Sequence, residues 1–291
     1  MVFVFGIDFA IFALMKKIIF TFISLLLGAF FISSCTMERK LALEFVDNDG
    51  RDIPVMIVPP PLLYMYNNKS IESLNNRDLN MDSLAFYQSE LLQYISDSAF
   101  LENYMNAFIQ YLDDHHLQVF LPDELTGFTQ QRRLSYMVRL AQMELEEDYD
   151  TVLAEEKINF QQQTKYIPIN KLSLSTWFEI SQKDSTSYFT YFDEQYITDE
   201  IYGDFRQELW SFDIKYDYTI LKIEKEDVYD FATMLGEKHA SYVYDLIMNT
   251  YIWNKIPEEK RSHYQYLHYN AQYGSVEVAE EAFIRVDDAE Q

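Results

Sequence analysis

Ile53-Pro54-Val55-Met56-Ile57-Val58, followed at once by Pro59-Pro60-Pro61, is the stretch that decides the fold. A strand with one wet face alternates apolar and polar side chains, and this one is apolar on both faces, as a strand in the middle of a covered sheet is. The three prolines end it, because proline supplies no N–H to a ladder. Upstream, Leu41-Ala42-Leu43-Glu44-Phe45-Val46 reads as a partner strand, with Asp47-Asn48-Asp49-Gly50 as the turn between the two. Downstream, residues 66–83 are rich in Asn, Ser and Asp and read as a polar connection that can hold a short helix near its end.

Further along, Ser98 has the chemistry of an N-cap with Glu102 in the first turn, and Phe100, Tyr104, Ala107, Phe108, Tyr111 and Leu112 share one helical face. Asp113-Asp114-His115-His116 closes that helix, and Leu117-Gln118-Val119-Phe120-Leu121 restarts as a strand. A helix leading into a strand implies a sheet that is mixed or partly parallel. The spacing of Leu134, Met137, Val138, Ala141 and Leu145 predicts a second helix. Strict alternation then predicts strands at Leu172–Ser181 and Trp210–Ile220, with another strand and its turn within residues 183–205. Val228, Phe231, Ala232, Leu235, His239, Tyr242, Val243, Leu246 and Ile247 predict a long helix from an Asp227 cap to Lys255, before Pro257. Its small residues Ala232, Gly236 and Ala240 form a strip that permits close approach by a neighbour. The expected fold is α/β (α+β): a mixed β-sheet packed by about three main helices, with a long C-terminal helix. One α/β domain is expected over residues 41–257, and residues 258–291 are expected to form a C-terminal arm and acidic tail.

The N-terminal region carries a different signal. Lys16-Lys17 precede an apolar run from Ile18 to Phe31, and Ile32-Ser33-Ser34 leads into Cys35, the only cysteine of the chain. From Ile18 to Ile32 is 15 residues, short of the roughly 20 needed to cross a hydrocarbon core. A charged start, an apolar middle and small residues before a cysteine resemble the lipobox signal peptide of bacterial lipoproteins. That resemblance implies cleavage after Ser34, with residues 15–34 as the signal peptide and 35–40 as a short lipidated tether. It also implies a diacylglycerol and an N-acyl chain on Cys35. Residues 1–14 place an apolar stretch with Asp8 ahead of the lysines, so Met15 is the expected start and the first fourteen residues a gene-model extension. Each buried methylene contributes about 0.8 kcal/mol, so two or three acyl chains anchor stably where one does not. The absence of Asp at Thr36 favours the outer membrane by known sorting rules. The absence of a dense acidic tag after the cysteine favours its periplasmic face.

Removal of residues 1–34 takes away Lys16, Lys17 and Asp8 and moves the formal charge from −24 to −25. Such a surface repels nucleic acid and anionic headgroups. With one cysteine there is no internal disulfide, so the fold rests on core burial. The 23 Tyr and 22 Phe against seven glycines and seven prolines describe a globular chain and not a tether.

Ile53–Pro60, Glu102-Asn103-Tyr104-Met105-Asn106-Ala107-Phe108, Ala141-Gln142-Met143-Glu144-Leu145-Glu146-Glu147 and Trp177-Phe178-Glu179 together resemble conserved lipoproteins of unknown function from Bacteroidota. In the order of its elements the chain is also similar to the α/β domain shared by curli-secretion lipoproteins, TolB N-terminal domains and penicillin-binding-protein activators. That second likeness is one of topology and implies a partner-binding module of the envelope.

Candidate chemistry is sparse. Adjacent residues in Asp113-Asp114-His115-His116 cannot all reach one ion, and histidine at a helix C-terminus suits the macrodipole. His239 falls on a buried stripe, where a hydrogen-bonded core histidine is expected. His263 and His268 have no ligand-spaced partners. Glu144, Glu146, Glu147, Asp148, Asp150, Glu155 and Glu156 lack the Asp-x-Asp-x-Asp-Gly pattern of a calcium loop and read as a solvated helix end and loop. No phosphate-binding glycine loop, Gly-x-Ser-x-Gly elbow or His-Glu-x-x-His is present. These absences weigh against an enzyme, although 47 acidic residues leave a two-carboxylate glycosidase open. The sequence therefore points to no metal and no cofactor beyond the acyl chains on Cys35. The expected partners are the bilayer and an envelope protein, without nucleic acid. The alternative is a glycan-binding or glycan-processing lipoprotein that uses Trp177, Trp210 and the tyrosines.

Overall fold

A computed structural model describes residues 37–70, 89–158, 160–185, 188–207 and 213–286. In chain order the elements are α1 (Met37–Glu44), β1 (Pro54–Val58), β2 (Tyr64–Asn67), α2 (Asp97–Asp114), β3 (Gln118–Phe120), α3 (Leu125–Thr129), β4 (Tyr136–Ile158) and β5 (Gln161–Gln182). They continue as β6 (Phe189–Thr198), β7 (Glu200–Gln207), β8 (Ile214–Leu221), α4 (Lys225–Lys255), α5 (Glu258–Arg261), β9 (Leu267–Asn270), β10 (Ser275–Val278) and β11 (Ile284–Arg285). The architecture is the expected mixed α/β one with a long C-terminal helix. Among the described residues the chain forms two compact units, one within 50–246 with 280–286 and the other of 37–49 with 247–279.

The larger unit is built on a seven-stranded sheet in the order β11-β6-β5-β4-β1-β3, with β2 also on β4. β1 is parallel to both β3 and β4, so Val55 lies between Val119 and Tyr136. β4, β5 and β6 are antiparallel. The reading of Ile53–Val58 holds on both faces. Val55, Met56 and Ile57 are buried, and Met56 packs with Phe120 and Phe128 of α3. On the other face α2 and α4 lie against β5, where Phe108 stacks on Phe178 at 6.4 Å. The small-residue strip has its expected use. A Cβ on Gly236 would sit 2.3 Å from the Tyr104 carbonyl oxygen and 3.0 Å from the Ala107 Cβ.

Two expectations are overturned. Of the stretch expected to be a helix, Met137, Val138, Ala141 and Leu145 lie in β4, and Leu134 precedes it. Tyr136, Val138 and Leu140 are buried, then Met143, Leu145 and Glu147, and a bulge at Ala141 shifts the phase between the two sets. Period two with one slip imitates a helical stripe. Leu41–Val46 is not a strand either. It continues α1 into a π-helical turn over Phe45–Asp49. The buried pair there is Ala42 and Phe45, three apart, which is a helical interval.

The α2 cap falls at Ser96, whose hydroxyl accepts from the Ala99 N–H, two residues before the expected Ser98. Strands appear at Leu172–Ser181 within β5, in the 183–205 region as β6 and the start of β7, and at Ile214–Leu221 as β8. Most of the polar stretch 66–83, and Trp210, lie outside the described residues.

In the smaller unit Phe45 packs against Tyr251 at 5.2 Å. Lys255 reaches Glu44 at 3.1 Å and Asp49 at 3.0 Å. The Asn249 side chain donates to the Leu267 carbonyl at 2.7 Å and accepts the Leu267 N–H at 2.8 Å, fixing the start of the β9–β10 hairpin.

Candidate functional site

β4 and β5 are unusually long, and their sequence changes character midway. Up to Glu147 the core face of β4 is buried, whereas Asp148 to Lys157 are exposed apart from half-buried Ala154. β2 pairs as far as Glu147 and β6 as far as Lys171. Among the described residues, Tyr149–Ile158 and Gln161–Asn170 pair as strands only with each other, with Ile167 and Ile169 buried on one face near the root. This ribbon is about 35 Å long at the usual rise of a strand. It carries exposed Tyr149, Val152, Leu153 and Tyr166, and ends at Phe160, which is 94% exposed with φ +67.

At the root of the ribbon lies a polar anchor. Glu147 is fully buried, pairs with Lys69 Nζ at 2.7 Å, and accepts the backbone N–H groups of Glu90, Leu91 and Leu92 at 2.9, 3.1 and 3.2 Å. Lys69 also donates to the Asn170 side-chain oxygen. Asn170 in turn donates through its backbone N–H and Nδ2 to Asp199 at 3.0 and 2.8 Å, and Asp199 accepts the Ile223 N–H at 2.9 Å. A buried carboxylate is tolerated only when paired and hydrogen-bonded, and Glu147 is both.

Two clefts flank this anchor. One, of about 370 Å³, lies between Tyr149, Pro168 and Asn170 of the ribbon and Ile220 of β8. The other, of about 400 Å³, lies between the β6–β7 junction, Leu221 of β8 and the first turns of α4. Lys222 lines both and pairs with Glu90 at 3.2 Å. That carboxylate holds its ammonium above the ordinary lysine pKa.

The second polar cluster is sealed inside the core. His239 Nδ1 lies 2.6 Å from the Tyr104 hydroxyl, and its Nε2 lies 2.9 Å from Asp193. Burial lowers the His239 pKa against the opposing pull of Asp193, and burial raises that of Tyr104 well above its ordinary value. The neutral ring therefore accepts the phenol O–H at Nδ1 and donates from Nε2 to Asp193. Phe178, Tyr242 and Phe283 pack around it. With His239 fully buried, this is the core histidine expected from its stripe.

The other singled-out residues scatter. His115 stacks on Tyr111 at 4.0 Å, its Nδ1 is 2.7 Å from the Tyr111 carbonyl oxygen, and burial lowers its pKa. His116 takes a left-handed φ of +61 just past the α2 end. Exposed His263 follows α5, and half-buried His268 lies on β9. Trp177 is half-buried and packs on Phe192 at 5.0 Å. Cys35 lies outside the described residues.

The acidic run is not the helix end and loop that was expected. It lies along β4, where Glu146 has a raised pKa from burial and from Glu144, and Glu147 is internal. Among the described residues no group of three or more His, Cys, Asp or Glu is placed to hold a metal ion. None of their helices is long and apolar enough to cross a membrane.

Glu147, Lys69, Asn170 and Asp199 were not legible as a set, because their mutual contacts span 29 to 101 residues of sequence. No family model matches the chain, and no curated protein matches it either.

Proposed function

We propose that this chain is a membrane-anchored envelope lipoprotein, held by acyl chains on Cys35 at the periplasmic face of the outer membrane, whose α/β body is a non-catalytic protein-binding module. The observation that carries the reading is the ribbon. A sheet that needed only to close its own core would stop where its cover stops, at Glu147 on β4 and at Ile167 on β5. Here the two strands continue in register for six more pairs beyond Ile167, from Leu153 with Tyr166 to Ile158 with Gln161. They present exposed aromatic and aliphatic side chains at Tyr149, Leu153, Phe160 and Tyr166.

Exposed ribbons risk pairing with other chains. Asp148, Asp150, Glu155, Glu156, Lys157 and Lys165 supply the charges that restrain such pairing while leaving the aromatic groups accessible. Aromatic anchors of this kind dominate protein interfaces. The leader and the lone cysteine supply the address, and the ribbon supplies the surface.

Labelling cells with an alkyne fatty acid tests the anchor. The native chain takes up the label and Cys35→Ala loses it, while equal labelling of the variant overturns the lipoprotein reading. Affinity capture from detergent-solubilised membranes tests the binding role. One protein recovered reproducibly supports it, and repeated recovery of the lipoprotein alone contradicts it.

A further inference from the structure

The second cleft has a composition that the ribbon lacks. Its floor is apolar, with Ile197 and Phe231 at its base and Leu221 and Met234 at its edge, the last two 58% and 49% exposed. Methionine is unbranched and polarisable, and it suits surfaces that must adapt to a partner. Three carboxylates, Glu200, Asp227 and Asp230, stand around this floor. Asp227 is accounted for by the fold: α4 starts two residues before the expected cap, and from its first turn Asp227 reaches back to accept the Glu224 N–H at 2.7 Å. Among the described residues Glu200 accepts only the neutral Tyr202 hydroxyl, and Asp230 lies a turn further along α4. Among the described residues none of the three forms an ion pair. Lys222, the one cation lining the cleft, is held by Glu90.

An apolar floor inside an uncompensated acidic rim is complementary to one class of occupant. A neutral apolar ligand would leave the carboxylates facing one another across a drier space, and an anionic ligand would add to their repulsion. A sugar would leave the methionine and leucine edge without a fitting partner. We propose that this cleft is a docking groove for an extended peptide segment of the partner protein in which Lys or Arg residues alternate with large apolar ones. The proposal rests on the protein-binding reading above and names the chemistry of the partner. The basic groups meet Glu200 and Asp230, and the apolar side chains cover Leu221, Phe231 and Met234.

The probe is a fluorescein-labelled hexapeptide, Lys-Leu-Lys-Phe-Lys-Leu, titrated with the full chain and read by anisotropy. Its controls are Lys-Ser-Lys-Ser-Lys-Ser and Glu-Leu-Glu-Phe-Glu-Leu. The alternating cationic peptide binds, and both controls bind at least tenfold more weakly. The Glu200→Gln/Asp230→Asn double variant leaves the cap intact. It loses about tenfold in affinity, as two partly exposed ion pairs predict, with an unchanged melting curve. Equal affinity for the serine control, or an unchanged affinity of the double variant, overturns the groove.

A photo-crosslinking residue at Met234 in the membrane-anchored chain separates this claim from the one beneath it. An adduct with the same protein that a crosslinker at Phe160 captures supports the groove. An adduct from Phe160 and none from Met234 overturns the groove and leaves the protein-binding reading standing. Adducts from neither position overturn both.

Discussion

Glu147→Gln is the substitution that most directly probes the root of the ribbon. The native carboxylate is fully buried, and Lys69 beside it is 6% exposed, so neither charge can turn to water when the other is removed. Removing one member of a buried pair costs about 3–5 kcal/mol, mostly for the charge left behind. The amide keeps one oxygen for the N–H groups of Glu90, Leu91 and Leu92, where the carboxylate offers two. At least one of those donors is therefore orphaned, at a further cost of about 1–3 kcal/mol. These terms overlap, and about 4 kcal/mol is the expected total. That is a large share of the roughly 5–15 kcal/mol that stabilises an ordinary domain.

Urea unfolding followed by tryptophan fluorescence measures the loss. The double variant Lys69→Met/Glu147→Gln removes the stranded ammonium and recovers part of it, so the two changes are non-additive. A Glu147→Gln variant within 0.5 kcal/mol of the native chain, or strict additivity in the double variant, would refute the claim that this pair is closed to water.

Three further outcomes follow from the same geometry. Gly236→Ala gains about 1 kcal/mol in helix propensity but drives a methyl into the Tyr104 carbonyl, a backbone atom 2.3 Å away. A net loss of about 1–3 kcal/mol in the same urea assay is expected. His239→Leu removes the Nε2–H donor to Asp193, leaves that carboxylate with Gln195 at 3.3 Å, and costs about 1–3 kcal/mol at pH 8. Because burial holds the native His239 pKa below 6.5, its neutral form stabilises the fold above pH 6.5, and this contribution is lost as pH falls toward the folded pKa. Unfolding at pH 8 and at pH 5.5 should therefore show the gap between native and variant narrowing at the lower pH. Phe160→Ser, at an exposed tip, changes stability by less than about 0.5 kcal/mol. It nevertheless weakens capture of the partner protein, which quantitative mass spectrometry of the captured material reads directly.

Elements marked by local chemistry were legible in the sequence, and elements set by distant contacts were not. β1 declared itself because Val55, Met56 and Ile57 leave neither face polar, and α4 because its apolar stripe runs without a break from Val228 to Ile247. The start of α2 is ambiguous in the sequence by two residues because Ser96 and Ser98 both have capping chemistry. Ser96 is the one whose hydroxyl accepts from the helix. Around Ala141 a single bulge put the buried set on even positions before it and odd positions after it, and that mixture matches a helix as well as a strand. Leu41, Leu43 and Phe45 alternate like a strand, yet in the fold Leu43 is exposed and Ala42 is buried. Tertiary contact decided that segment.

The site shows the same division. His239 carried its stripe with it and was legible as a core residue. Glu147 stood in a run of acidic neighbours, and nothing within the run marks it as the internal one. Its distinction comes from Lys69, 78 residues upstream, and from the backbone of residues 90–92.

Site-specific photo-crosslinking at Phe160 in intact cells tests most directly whether the ribbon is a binding surface. The expected result is one dominant adduct with an envelope protein, recovered reproducibly and lost when the ribbon is shortened by deleting residues 154–165. A Phe160 crosslinker that yields only the lipoprotein itself, or the same adducts with and without the ribbon, would contradict it.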